Sequence, residues 1–450
     1  MTLVQNLLQQ LNGNRKFPFL LLLSCLLICQ SCFTRQFSQD QLGLKYEFSK
    51  QQNNDNLTDV QYPTDDSDEI VVNPVEPIID SLAHIYPLLI KPKYKVAYIL
   101  PLYLNDIYLE EYKQKRISRV AQDYYMGAKM ALEDSVPNLG LNLQVQVFDN
   151  YSGNDSSIQS ILSVIDKDSF DLILGPFLNS HMSDFSTYSQ EHKLSVISPI
   201  SIKDEFLTNP YFISCRPTQK THLEKSSQLI ANHFKNYHIL VISKNSTELN
   251  FIKESLLRYS DSAKFKSMNF IVVDQSNWGK AEYLRYLAKD SNLIYIPTND
   301  VVVINSVVTN LIGKVNFDKD DQKNKISLLA PYIWLNKSAV EISLLERLNA
   351  HFTSDPILDF KDSASIVFVK AYRERYKTEP NTYSWMGYQG VLLYAPLLLE
   401  NGKYIQRSLI EKGTGCNEYS FIRRKGDNGF EKSTIWLFRF EEQELVRVIE

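Results

Sequence analysis

Cysteine and histidine are the side chains whose spacing most directly announces nucleophilic or metal chemistry, and the 450-residue chain carries five of the first and seven of the second. The histidines, His84, His181, His192, His222, His233, His238 and His351, are scattered, with no cysteine pair or H-E-x-x-H arrangement to complete a metal set. G-x-x-x-x-G-K-[ST] and G-x-S-x-G are also absent, so the common phosphate, zinc and serine-hydrolase sites lack their residues. No catalytic residue, metal or cofactor is therefore expected. What remains is binding chemistry, carried by Asn, Ser, Thr and aromatic side chains at the ends of apolar runs.

Two cysteines belong to location instead. After Arg15 and Lys16, the apolar run from Phe17 to Cys29 is too short for the ~20 residues of a membrane-spanning helix but fits the core of an export signal. Cys29-Gln-Ser-Cys32 has CxxC spacing without a partner pair. Small Ser31 before Cys32 instead resembles a bacterial lipobox, which implies a signal peptide over 1–31 and lipidation of Cys32. Phe33-Thr-Arg-Gln-Phe37 carries no acidic export tag, so a periplasm-facing attachment in the cell envelope is expected. Cys215 and Cys416 are too few for a disulfide framework and are left either to pair or to stay free.

Residues 33–92 are polar and punctuated by Pro63, Pro74, Pro77, Pro87 and Pro92. They read as a linker with a root-mean-square span on the order of 40 to 45 Å, long enough to hold a folded body clear of a membrane. A short docked helix or strand is expected between Ile78 and Ile90.

The elements that must position any site begin at Lys95. Short β-rich runs, Val96–Leu100, Leu143–Phe148, Asp171–Leu174 and Leu194–Ile197, alternate with helix-period stretches at Val120–Asp134, Ser156–Lys167 and Ser180–His192. After an extended stretch from Tyr211 to Pro217, a second series follows at Ile239–Ile242, Phe270–Val273, Leu293–Ile296 and Ile326–Leu329. Helices are expected at Ser363–Tyr376 and Tyr383–Leu399, then β-rich runs at Thr434–Phe440 and Leu445–Val448. Alternation of this kind predicts an α/β chain with two doubly wound parallel-sheet lobes and a cleft between them, the tail completing both. The lobes are drawn as 94–217 plus about 341–402, and 218–340 plus about 403–450.

In such sheets ligands bind beyond the carboxyl ends of the strands. The loops there offer Tyr103, Asn179, Ser180, Ile200, Ser201, Asn245, Ser246, Tyr332 and Trp334 as ligand-binding candidates, with Asn299 beside them. Asn179, Ser180, Ser246 and Asn299 also suit plain helix capping, and Tyr332 and Trp334 suit core packing. His181, just past one rim loop, reads as a helix-surface residue. Lys113, Lys115, Arg116 and Arg119 form a basic cluster before the first helix, either a solvated loop or a contact for an anion or lipid head group.

The order of elements resembles the type 1 periplasmic solute-binding proteins, the branched-chain amino-acid receptors of ABC importers, over roughly Tyr94 to Val448. The resemblance rests on Tyr125-Met-Gly-Ala-Lys-Met-Ala-Leu-Glu133, Phe148-Asp149, Gly175-Pro-Phe-Leu-Asn-Ser180, Ser198-Pro-Ile-Ser-Ile202 and Pro380-Asn-Thr-Tyr-Ser-Trp-Met-Gly-Tyr388. It implies a small polar ligand, an amino acid or derivative or a peptide, held between two lobes, and a membrane permease as partner. Where family members place a hydroxyl, a Thr after S-P-x-x and an acid for the ligand ammonium, this chain carries Asn179, Ile202 and Tyr332. A buried ammonium without a carboxylate is costly, which counts against a plain amino acid. Signal, tether and altered site together are also similar to a group of Bacteroidetes lipoproteins. That similarity keeps open a second role, a tethered regulator or scaffold for envelope machinery. Forty-eight Lys and Arg against 52 Asp and Glu supply no reason to expect a nucleic-acid partner.

Overall fold

The computed structural model describes residues 88–104, 116–150, 155–200, 202–273, 281–317, 325–336, 341–411, 420–423, 428–442 and 444–448. Signal, Cys32 and most of the linker lie outside the described residues, as do Lys113, Lys115, Ser201 and Cys416.

The body holds two seven-stranded sheets. The first is built on β1 (Tyr94–Leu100), β2 (Leu143–Asp149), β3 (Leu172–Leu174), β4 (Ser195–Ser198) and β5 (Phe212–Ser214), extended by β11 (Phe421–Ile422) and β12 (Phe430–Lys432), in the order β11-β12-β5-β4-β3-β1-β2. Strand β1 is apolar along almost its whole length because both of its faces are covered. Val96, Tyr98 and Leu100 face helices α1 (Arg116–Asp134) and α9 (Thr382–Asn401), while Ala97 and Ile99 face α2 (Asp155–Lys167) and α3 (Met182–His192). Helices α1 and α9 approach to backbone contact: a Cβ on Gly127 would sit 1.8 Å from the Ser384 carbonyl oxygen, and one on Gly387 1.9 Å from that of Tyr124. The small-residue face of α1 thus serves packing.

The second sheet repeats the plan with β6 (His238–Ser243), β7 (Ser267–Val272), β8 (Ser291–Tyr295), β9 (Lys325–Pro331) and β10 (Ala350–Ser354), then β13 (Trp436–Glu441) and β14 (Glu444–Arg447), ordered β14-β13-β10-β9-β8-β6-β7. Ile239 and Val241 pack under α4 (Gln219–His233) and α5 (Ser246–Ala263), and Leu240 and Ile242 under α6 (Val301–Phe317). Two shorter helices, α7 (Ile342–Arg347) and α10 (Gln406–Glu411), flank the second and first sheets, and α8 (Ser363–Tyr376) packs with α1 and α9 through Phe368, Tyr372, Met130 and Trp385.

The two expected α/β lobes are present, with parallel sheet centres, but each sheet ends in antiparallel pairs: β11 with β12, β10 with β13, and β13 with β14. The chain passes between the sheets three times, in the segments after Ser214, Ser354 and Lys432. Divisions near 340 and 402 therefore misplace these pieces: Ala350–Ser354 pairs in the second sheet, and Phe421–Ile422 and Phe430–Lys432 pair in the first. These strands are two to five residues long, and their pairing partners, which periodicity does not report, decide their sheet. In the stretch expected to dock before the body, Leu89 bridges to Gly402, and Lys91 Nζ pairs with the buried Asp171 carboxylate at 2.5 Å. Residues 88–93 thus lead into the amino end of β1, at the opposite end of that strand from the loop after Leu100.

Candidate functional site

A cavity of about 540 Å³ opens where the carboxyl ends of β8, β9 and β10 meet the amino ends of α1 and α9. Both lobes line it. The first contributes Arg116 and the turn Asn381-Thr-Tyr383 with Met386; the second contributes His222, Tyr295, Asn299, Tyr332 and Thr353; two of the crossings contribute Arg216–Thr218 and Asp355.

At its floor Arg216 and Asp355 form a two-point ion pair, Nε to Oδ2 at 2.7 Å and an Nη to Oδ1 at 3.0 Å. Burial alone would raise the Asp355 pKa; the charge and hydrogen bonds of Arg216, with Lys432 and His222 nearby, outweigh it and hold the carboxyl below its usual value. Arg216 is held correspondingly further toward its charged form, chiefly by Asp355. His222 shares a 3.0 Å hydrogen bond with Thr353 Oγ1. Burial lowers its pKa to about 4, with Arg216 assisting and Asp355 opposing, so the imidazole is neutral near pH 7.

The helix starts around the cavity are closed by specific partners. Thr218 caps α4, whose first turn also meets the buried Glu431 of β12: Thr218 N–H and Thr221 Oγ1 donate to its carboxylate at 2.8 and 2.7 Å. Asn381 and Ser384 form a reciprocal capping box on α9. The Asn381 amide also donates to Asp123 of α1 at 2.6 Å.

Among the residues expected from the sequence, Tyr332 and Asn299 line this cavity. Trp334 does not. It is fully buried, its indole N–H donating to the Thr298 carbonyl at 2.8 Å, so the core-packing alternative holds there. Tyr103 is buried in a left-handed turn (φ 59°) wrapped around Asp149, whose carboxylate accepts from the N–H groups of Leu102, Tyr103 and Leu104 at 2.8 to 3.2 Å. Asn179 and Ser180 lie exposed on the first lobe's rim, and Ile200 packs against that lobe's core. The Asn245 side chain caps α5, whose first residue is the exposed Ser246. His181 is buried, not on a helix surface, with Asn150 Nδ2 3.0 Å from its Nδ1. Cys215 is a free thiol that burial pushes up to about 12, out of reactive range.

Sequence reasoning missed Arg216, His222, Thr353 and Asp355. Their signals were present but slight: Pro217-Thr218 before a helical stretch, and the turn-forming Asp355-Pro356. Arg116 was visible only as one of a basic cluster. Among the described residues no group of His, Cys, Asp and Glu is placed to hold a metal ion, and no helix is long and apolar enough to cross a membrane.

No protein-family model and no curated protein sequence matches the chain. Solved structures do. A putative branched-chain amino acid ABC transporter protein from Rhodospirillum rubrum superposes with a TM-score of 0.59 at 12% identity, covering 79% of this chain and 100% of its own. A branched chain amino acid ABC transporter periplasmic ligand-binding protein from Burkholderia xenovorans gives 0.55 at 12% identity, covering 79% and 95%. An ABC transporter substrate-binding protein from Desulfitobacterium hafniense, in complex with Leu, gives 0.51 at 12% identity, covering 79% and 100%. At such identities the likeness concerns fold: the body has the two-lobed α/β architecture of type 1 periplasmic binding proteins.

Proposed function

We propose that this protein is a lipid-anchored, extracytoplasmic solute-binding component of an ABC-importer-like system, taking a small polar ligand between its lobes. The observation that carries the reading is the 540 Å³ cavity, lined from both lobes and two of the crossings, at the carboxyl ends of the second sheet's strands. That is where open parallel sheets bind ligands, and its volume suits a molecule of metabolite size. A fold shared with substrate-binding proteins, one of them holding leucine, supports it. On this reading Tyr332 packs on the ligand. The first lobe's share comes from Arg116, with the exposed Asn179 and Ser180 on the rim that would close over it. The export signal and a lipid on Cys32 would hold the body at a membrane.

The test is a thermal-shift screen of the mature protein against amino acids, peptides, sugars, nucleosides and organic acids. A ligand at 100 times its dissociation constant adds about 2.7 kcal/mol, several degrees in melting temperature. Tyr332→Ala should abolish the shift while unfolding stays cooperative. Flat melting curves across the panel would favour the scaffold role, the rival reading, since Asp355, the carboxylate among the described lining residues, is already paired with Arg216.

A further inference from the structure

We propose, resting on that reading, that the cleft selects an anion: a carboxylate without an ammonium group. Among the described lining residues only Arg116, Arg216 and Asp355 are charged, and His222 is neutral. Among these described residues two guanidiniums face one carboxylate, an excess of positive charge that an anionic solute would neutralise. Asp355 is not available to an ammonium, since both of its oxygens accept from Arg216. Placing an ammonium there would also add a third cation to a site already in excess.

Arg216 is in turn prepared for a second anion. Asp355 takes two of its five N–H donors and fixes the plane of the fork, while about a third of the side chain remains exposed at the cavity. Arg116 faces the same space from the other lobe. A carboxylate between them would be held by one cation at the crossings and one on the first lobe, so binding and lobe closure would be the same event. The rest of the wall mixes apolar side chains, among them Leu223, Ile333, Ile357 and Met386, with hydroxyl and amide groups such as Thr353 and Asn299.

The test uses matched probes that differ only in charge: 3-phenylpropionate, phenylalanine, phenethylamine and 3-phenylpropanamide, with 4-methylpentanoate, leucine and 4-methylpentanamide as an aliphatic set. Calorimetry on the mature protein should find a carboxylate binding at least tenfold more tightly than its amide and its amino acid, the amine not at all, and affinity falling with added salt. Arg116→Gln should weaken carboxylate binding at least tenfold and bring it level with the amide, at an unchanged melting temperature, because Arg116 is exposed. Amides or amino acids binding as tightly as the carboxylates would overturn the anion assignment and leave solute binding standing. If neither these probes nor the wider panel of sugars, nucleosides and peptides bind, both the assignment and the reading beneath it fail.

Discussion

Arg216 and Asp355 lie 139 positions apart in sequence, in two different crossings between the lobes, and meet through two hydrogen bonds of 2.7 and 3.0 Å. The pair joins the segments about which the lobes would have to move. Removing one partner leaves the other charge in a mostly buried place. Arg216→Met and Asp355→Leu should each cost about 1–3 kcal/mol, discounted from a fully buried pair because Arg216 is partly exposed. The double change Arg216→Met with Asp355→Leu should recover most of that loss. Urea unfolding of the four proteins in the cycle checks it; additive losses would show that the pair contributes no coupling.

Stability should fall in mild acid. Burial holds His222 and His351 near 4, against about 6.5 for a free imidazole. Below about 6.5 the unfolded chain therefore binds protons that the folded chain refuses until about 4, and folding weakens as pH falls through that window. Each imidazole contributes on the order of 1–3 kcal/mol. Asp355, with its pKa lowered, acts in a separate window: its contribution is present above the usual carboxylate value of about 4 and is lost below it. Unfolding midpoints at pH 7.5, 5.5 and 4.5 should decline, and His222→Gln with His351→Gln should flatten the slope. A slope unchanged in the double variant would assign the acid sensitivity elsewhere.

Two glycine-to-alanine changes should have opposite signs. At Gly387 the added methyl would meet the Tyr124 carbonyl at 1.9 Å, forcing α1 and α9 apart at a cost of about 3 kcal/mol. At Gly313, within α6, it would meet nothing within 4 Å, and the better helix propensity of alanine should add up to about 1 kcal/mol. Melting temperatures of the two variants decide the point.

Glu431 ties a strand of the first sheet to the first turn of α4 in the second lobe. Glu431→Ala leaves the Thr218 N–H and the Thr221 hydroxyl without their acceptor, and should cost about 1–3 kcal/mol, with Glu431→Gln losing less. Hydrogen exchange localised to the amino end of α4 would distinguish this from global loosening.

Cys32→Ser should move the protein from the membrane fraction to the soluble fraction of its host and abolish incorporation of labelled fatty acid. Retention at the membrane with no lipid on Cys32 would remove the lipobox reading.

Much of the fold was legible because buried parallel strands and amphipathic helices leave a local mark. Runs such as Val96–Leu100 and Ile239–Ile242 are apolar because sheet faces are covered on both sides, and Ser363–Tyr376 shows its helix within its own residues. The site was far less legible. Tyr332 was visible as an aromatic after a strand, but so was Trp334, and only packing separates the one at the cavity from the one donating to Thr298 in the core. Asn245 shows the same limit, since a capping asparagine and a ligand-binding asparagine occupy the same position before a helix.

By itself the sequence determined the alternation of strand and helix, the two lobes and the rim on which binding residues had to be sought, since these follow from periodicities over a few residues. Only the tertiary structure decided which sheet receives Ala350–Ser354 and Phe430–Lys432, and which charges meet in the cleft. Strand pairing and ion pairing join residues far apart along the chain, and their free energy depends on distance and burial in space, which no local pattern of residue types encodes.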